Sequence, residues 1–391
     1  MDNVVITSAV RSPIGAFGGV FKDLLPSDLM VPVLKEAIKR SNVREDEIDE
    51  VVLGHCIQRT DEPNIARTAA LLAGFADTTT GYTVQRQCAS GMQAIISGFL
   101  QLQAGVCDTV VAGGVEAMSS SPYVLKQHRW GGRLQHGQVT DTVWEILEDP
   151  IHHILMGETA ENLADLHQIT REEQDEIALL SHQRAVNAIK EGYFEREIVP
   201  ITVKTRKGET VVSTDESPRE DVTIDKLASL RPAFRKGGTV TAGNASSLND
   251  GAAALVLMTE EMAKRKGIKP LARIVGFSVA GVHPSVMGRG PVPAIRKGLR
   301  QVAWSLEETD LIEINEAFAA QYLAVEKELG LNREKVNVNG SGISLGHPIG
   351  CTGARITVSL IHELSRRQLQ KGIASLCVGG GMGATLFIEA L

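Results

Sequence analysis

Ile48-Asp49-Glu50-Val51-Val52-Leu53-Gly54 near the start of the chain and Thr309-Asp310-Leu311-Ile312-Glu313-Ile314-Asn315 near its end share one plan, an aspartate in second place followed by a short apolar run. Two further pairs follow in the same order. Cys88-Ala89-Ser90-Gly91, opening a helical pattern, is echoed by Cys351-Thr352-Gly353-Ala354. Val110-Val111-Ala112-Gly113-Gly114 is echoed by Leu376-Cys377-Val378-Gly379-Gly380. Chance can match one pair of apolar strands, but three matches in one order indicate an internal duplication.

Outward from these matches, short β-branched segments alternate with longer helical patterns, the signature of parallel strands joined by crossover helices. Strands are expected at 4–10, 50–54, 83–86 and 109–113. A helix is expected at 28–40, where Leu29, Val33, Leu34, Ala37 and Ile38 share a face. Another runs from the cap Asn64 to Ala73 and stops at Gly74, and a third follows Cys88. The Gly-rich turn after Cys377 leads directly into a last strand at 384–389. The turn expected at Gly113 has no such strand until 252–259.

Residues 119–247 are therefore read as an insertion between two strands of the first sheet, a common place for a ligand lid. The resulting organisation is an N-terminal half of 1–118 plus 248–270, the inserted domain, and a C-terminal half of 271–391. Within the insertion, 159–166 and 171–190 are amphipathic, and Thr170 with Glu173 forms a capping box for the second stretch.

The 391 residues, 43% apolar, can bury more than one core. A net charge of -7 with both signs interspersed argues against a broad nucleic-acid surface. The longest apolar run, around 252–258, is far short of the roughly 20 residues that a membrane span needs. No secretory or transit pattern precedes the first strand, so the expected location is cytoplasmic. Cys56, Cys88, Cys107, Cys351 and Cys377 form an odd set, which disfavours a disulfide framework. No CxxC pair occurs and His152-His153 lacks a second ligand cluster, so no metal is expected.

Four residues stand where chemistry is possible, each with a plainer reading beside it. Cys88 precedes a helix whose N-terminus would favour a thiolate; it also reads as a core cysteine. His347 lies in Asn339-Gly-Ser-Gly-Ile-Ser-Leu-Gly-His-Pro-Ile-Gly-Cys-Thr-Gly-Ala-Arg355, where Pro348 keeps it out of helix. A phosphate-cradling loop competes there, but GxGxxG spacing and a P-loop lysine are absent. Cys377 precedes Val378-Gly379-Gly380-Gly381-Met382-Gly383, a run able to aim backbone amides at an oxyanion or simply to turn. Asn315 orients a water or caps the next helix.

Taken together, Gln87-Cys-Ala-Ser-Gly-Met-Gln93, Gly113-Gly-Val-Glu-Ala-Met-Ser119, Thr241-Ala-Gly-Asn-Ala-Ser-Ser-Leu-Asn-Asp-Gly251, Asn315-Glu-Ala-Phe-Ala-Ala-Gln321, Gly346-His-Pro-Ile-Gly350 and Cys377-Val-Gly-Gly-Gly-Met-Gly383 resemble the signatures of the thiolase family, in family order along the whole chain. The resemblance implies an α/β fold of duplicated α-β-α-β-α halves with two mixed five-stranded sheets and an inserted loop domain. It implies Cys88 as the acylated nucleophile, Cys377 as the second catalytic cysteine, His347 as the histidine that activates Cys88, and Asn315 as holder of an oxyanion-site water. The amides of Cys88 and Gly379 would form the other oxyanion site. Arg219 and Ser246 match coenzyme A contacts; Met156, Met287 and Phe318 match the acyl pocket.

The implied reaction is a reversible Claisen condensation of two acetyl-CoA molecules to acetoacetyl-CoA and CoA, or its reverse, through an acetyl-Cys88 intermediate. CoA thioesters enter as substrates, and no permanently bound cofactor is expected. A broader 3-ketoacyl-CoA thiolase and a non-catalytic acyl-CoA-binding homologue are the alternatives. One departure is Leu155, where short-chain biosynthetic members often have histidine. Cys351, at the repeat position of Cys88, is read as a packing residue. Lys204, Arg206 and Lys207 are read as solvated surface. The family is commonly dimeric or tetrameric, with 123–153 as a tetramer contact.

Overall fold

A computed structural model describes residues 3–132, 134, 136–205 and 208–391. In the first half the order is β1 (Val4–Arg11), α1 (Pro26–Ser41), β2 (Glu50–Gly54), α2 (Ile65–Ala73), β3 (Thr80–Val84), α3 (Ser90–Gln103) and β4 (Thr109–Ala117). The segment that follows holds α4 (Met156–His167), α5 (Arg171–Lys190) and a hairpin of Ile201–Thr205 with Gly208–Val212. The sheet then resumes with β5 (Asn249–Thr259). The second half runs β6 (Ala272–Gly281), α6 (Pro291–Val302), β7 (Leu311–Ile314), α7 (Ala319–Leu329), α8 (Ile349–Arg367), β8 (Lys371–Val378) and β9 (Met382–Ala390).

The pairing pattern repeats. β2 lies parallel to β3 and β4, and β4 runs antiparallel to β5. Correspondingly, β7 lies parallel to β8, and β8 antiparallel to β9. The counterpart of β3 is reduced to a single parallel bridge between Ile312 and Val336. Both β1 and β6 carry a one-residue register shift, between Ile6 and Ser8 and between Ile274 and Gly276.

Such a bulge exchanges the two faces of a strand. Accordingly Val4 and Ile6 face one core but Ala9 rather than Ser8 joins them, while Val5 and Val10 face the other. The strict alternation of β5 shows the same sorting: Ala253, Leu255 and Leu257 point inward between the halves, while Ala252, Ala254, Val256 and Met258 point toward α1 and α2. Five layers result. α1 and α2 cover the first sheet, α3 and α8 lie between the sheets, and α6 and α7 cover the second.

Three details correct the sequence reading. The two sheets are joined edge to edge, with Val4, Val5 and Ile6 paired to Ile274, Arg273 and Ala272, giving one ten-stranded sheet. Pairing there satisfies edge groups that would otherwise lie unpaired in a buried seam. The third strand occupies Thr80–Val84 rather than 83–86, because Thr80 to Val84 pair in parallel register with Glu50 to Gly54. Gly113 and Gly114 do not turn but continue β4. A side chain at Gly113 would sit 2.1 Å from Ala253 O and one at Gly114 2.2 Å from Gly350 O, so packing, not turning, excludes larger residues.

The capping box of α5 forms as read, with Thr170 Oγ1 accepting from the Glu173 amide at 3.2 Å and Glu173 Oε2 from the Thr170 amide at 2.7 Å. Among the described residues no helix is long and apolar enough to cross a membrane, and no group of three or more His, Cys, Asp or Glu is arranged to hold a metal.

Candidate active site

Between β3 and α3 the chain makes a tight link. Arg86 and Cys88 form an isolated bridge, and Gln87 between them adopts φ +45°, the left-handed region that a non-glycine residue enters only when held there. What holds it is local. Ser90 Oγ donates to Gln87 O at 2.6 Å and accepts from the Arg86 amide at 2.9 Å; Cys56 Sγ donates to the same Gln87 O at 3.0 Å. The link sets Cys88 two residues ahead of α3, half-buried, whereas Cys377 and Cys351 are closed off from solvent.

Cys377 stands at the end of β8, opposite Gly383 on β9. The following Gly379-Gly380-Gly381 reverses the chain, with φ +80° and +83° at Gly380 and Gly381. That reversal carries the Gly379 amide to the sulfur of Cys88 as a hydrogen-bond donor. A side chain at Gly379 would start 3.7 Å from Met156 Sδ and 3.7 Å from Gln87 Cγ, so Cys88, Gly379 and Met156 surround one space. Burial pushes the Cys88 thiol up to about 11 despite the Gly379 amide; the Cys377 thiol is raised further, by burial and then by the charge of Cys88 beside it.

His347 is held through its backbone amide and its ring. Its amide donates to Asn249 Oδ1 at 2.8 Å, its Nδ1 lies 2.7 Å from Thr352 Oγ1, and the Asn315 amide group is 3.4 Å from the same ring nitrogen. Thr352 Oγ1 donates its proton to Pro348 O at 2.9 Å and therefore accepts from Nδ1–H, which leaves Nε2 with its lone pair. Burial, reinforced by the Arg355 charge, lowers the imidazole to about 3. It is neutral at physiological pH. Asn315 Oδ1 is buried without a protein hydrogen-bond partner among the described residues.

Two helix starts bring these groups together. α3 and α8 cross where a side chain at Gly91 would lie 2.9 Å from Gly350 O and one at Gly353 2.5 Å from the Met92 amide nitrogen. Ile349, beside His347, packs in one small cluster with Cys56 and Cys88. The structure thus gathers Cys88, Gly379, Cys377, His347 and Asn315 around the junction of the two halves.

The remaining predicted residues divide between two adjoining regions. Met287, Phe318 and Cys377 share an apolar cluster with Met156 at its margin, and Phe318 meets Phe234 edge-on at 5.9 Å. A cavity of about 430 Å³ is lined by Arg219, Lys226, His182, Ala245, Ser247 and Leu248, among others. Ser246 does not line it; its amide donates to Ala317 O at 2.9 Å, which ties the cavity wall to the Asn315 segment. Leu248 belongs both to this cavity and to the cluster around Cys88.

Cys351 is wholly buried in the core between the sheets, its thiol pushed up to about 12 by burial. Lys204 pairs with Glu209 at 3.4 Å on the surface; Arg206 and Lys207 lie outside the described residues. Sequence reasoning assigned nothing to Asn249, Thr352 or Cys56, which hold the site. It also missed Glu116, although a carboxylate inside the apolar run of β4 was a legible signal.

The model of the thiolase N-terminal domain matches residues 4–261 and that of the thiolase C-terminal domain residues 268–390. The chain belongs to the thiolase family. It is an acyltransferase. An acetyl-CoA acetyltransferase of Escherichia coli K12 is 49% identical over 396 aligned residues, covering 100% of both chains. The crystal structure of the Bacillus anthracis acetyl-CoA acetyltransferase superposes with a TM-score of 0.99 at 73% identity, covering 100% of this thiolase and 99% of that chain. Human mitochondrial 3-ketoacyl-CoA thiolase in complex with CoA superposes with a TM-score of 0.97 at 42% identity, covering 100% and 98%.

Proposed function

We propose that this thiolase is an acetyl-CoA C-acetyltransferase that works by acyl transfer through Cys88. The observation that carries the reading is the convergence on one space of a half-buried thiol, an amide aimed at its sulfur and a second, closed-off thiol. Neither sulfur is ionised at rest, so proton transfer accompanies attack. His347 Nε2 takes the Cys88 proton as the sulfur adds to the thioester carbonyl, and the amides of Cys88 and Gly379 hold the oxyanion. CoA leaves with the proton of Cys377, so acetyl-Cys88 remains beside a Cys377 thiolate and a His347 ring that carries the Cys88 proton on Nε2.

In the second half-reaction the Cys377 thiolate removes the α-proton of another acetyl-CoA. His347, through the proton on Nε2, and a water held by Asn315 stabilise the enolate oxygen, which on re-forming its carbonyl drives carbon onto acetyl-Cys88. The tetrahedral adduct expels the Cys88 thiolate, which takes its proton back from His347. One thioester is made for each one broken, so the sequence runs either way.

The cavity bearing Arg219 and Lys226 suits the anionic nucleotide end of CoA, with its route toward Cys88 passing Leu248. Met156, Met287 and Phe318 would enclose the acyl group. The relatives named acetyl-CoA acetyltransferase support the short-chain reading; the likeness to a 3-ketoacyl-CoA thiolase favours a broader one. Cleavage rates of acetoacetyl-CoA and of longer 3-ketoacyl-CoAs decide between them, and equal or faster turnover of the longer substrates defeats the short-chain assignment.

Assembly as a homodimer or homotetramer belongs to the same reading. Trp130, Leu134 and Val139 are 93%, 97% and 62% exposed on the stretch 123–153, an apolar display suited to a subunit contact.

A further inference from the structure

Glu116 is the one carboxylate in β4 and is wholly buried. Its Oε2 accepts from the amides of Cys56 at 3.0 Å and Gly350 at 2.9 Å. Its Oε1 accepts from the Ile57 amide at 3.2 Å and lies 3.1 Å from His55 Nδ1. These donors come from two places far apart in the chain: the loop after β2 and the first turn of α8.

Each of the two leads to a group of the proposed reaction. Cys56 Sγ contacts Gln87 O at 3.0 Å and Ser90 Oγ at 3.3 Å, the link that presents Cys88. Gly350 follows His347 across Pro348 and Ile349, and a side chain there would lie 2.6 Å from Glu116 Oε2 and 2.8 Å from Val115 O. The carboxylate therefore touches the start of α8 with nothing between.

We infer that Glu116 is a positioning residue for the acyl transfer, clamping the Cys56 loop and the N-terminus of α8 to one carboxylate and so setting the separation of the Cys88 sulfur and the His347 imidazole. The inference rests on the proposed function of this site.

Only an ionised carboxylate meets the donor set. Every neighbour offers N–H: three backbone amides donate to the two oxygens, and His55 Nδ1–H, which Val115 O also meets at 2.9 Å, lies against Oε1. Glutamine would turn an NH2 group toward either the Cys56 and Gly350 amides or Ile57 and His55. Burying a charge here is costly, and what offsets it is the hydrogen bonds, the positive end of α8 and the His55 imidazole. Burial works against charging His55, but Glu116 prevails, with Glu62 adding to it, and raises it; Glu116 itself is held low by the same partners against its own burial. The charge also faces Cys56, Cys88, Cys351 and His347, where it disfavours thiolates and favours imidazolium.

Glu116→Gln in the full-length enzyme tests this. The expected result is a fall in kcat of about 30-fold with KM changed less than about threefold. The pH profile of Cys88 alkylation by iodoacetamide should also move to lower pH, since a negative charge has left its surroundings. A merely structural role lowers the melting temperature without that directed shift. Should Glu116→Gln not fold, Glu116→Asp keeps the charge but shortens its reach to the two sets of amides, and kcat should still fall. An unchanged kcat and profile in folded Glu116→Gln, or an unchanged kcat in folded Glu116→Asp, overturns the inference. Failure of the unmodified enzyme to acetylate Cys88 with acetyl-CoA overturns the proposed function instead, so the two failures are distinct.

Discussion

The Gly379 amide donates to the sulfur of Cys88, joining the turn after the last-but-one strand to the link before the third helix. Because Gly379 follows Cys377 by two positions, that one hydrogen bond fixes where the second thiol stands relative to the first. On the proposed function the two sulfurs divide the labour.

Cys88→Ala should abolish the acetyl adduct on the peptide carrying residue 88 and lower turnover by roughly 10³-fold or more. Cys377→Ser should keep the adduct, read by mass after incubation with labelled acetyl-CoA, while losing exchange of acetyl-CoA α-protons in heavy water. Exchange at the unmodified rate in Cys377→Ser refutes the assignment of the base.

Acid should destabilise the fold through two buried histidines. Burial lowers His347 to about 3, aided by Arg355, and His182 to about 4, aided by Arg219. Below the unfolded value of roughly 6.5, the unfolded chain takes up protons that the folded chain refuses, so stability falls as pH falls. The expected loss is roughly 1.4 kcal/mol per pH unit for each histidine, ending near pH 4 for His182 and pH 3 for His347. His55, raised by Glu116, acts only above that window, its contribution fading as pH rises. The buried Glu313 carboxyl, raised to about 8 by burial, gains stability as pH falls through the same window, so urea unfolding at pH 7 and pH 5 is compared between the unmodified chain and His182→Gln; the same pH dependence in both contradicts the assignment.

Arg219→Ala should raise KM for acetyl-CoA about tenfold, equivalent to ~1.4 kcal/mol of lost binding, with kcat within about a factor of two. The side chain lines the cavity without touching the reacting groups, so steady-state kinetics should separate the two constants. A drop in kcat at constant KM would count against the cavity as the nucleotide site.

Replacing Trp130 and Leu134 together by serine should yield a smaller particle in sedimentation while each subunit keeps its acylation chemistry. Identical sedimentation of the two proteins removes the stretch 123–153 from the assembly.

Much of this was legible in the sequence because duplication leaves local copies. The repeated aspartate-plus-strand segment became β2 and β7, and the two Cys-led helix starts became α3 and α8. Legibility failed where residues act through partners remote in the chain. Gly113-Gly114 reads as a turn until Ala253 and Gly350 are seen pressing on it, and Arg86 reads as strand until Gln87 is seen bent. Nothing near Asn249 announces that its side chain holds the backbone of His347. The seam between β1 and β6 is likewise a relation between two edges, which no single segment encodes.

The crossing of α3 and α8 at Gly91, Gly350 and Gly353 leaves bare main chain against bare main chain. With no compressible group in that joint, the two helices cannot breathe apart or slide without voiding the centre of the molecule. On the proposed function, an arriving or departing CoA would be accommodated away from this joint, at the cavity that carries Arg219. Turnover and global unfolding would then be motions of different parts of the protein.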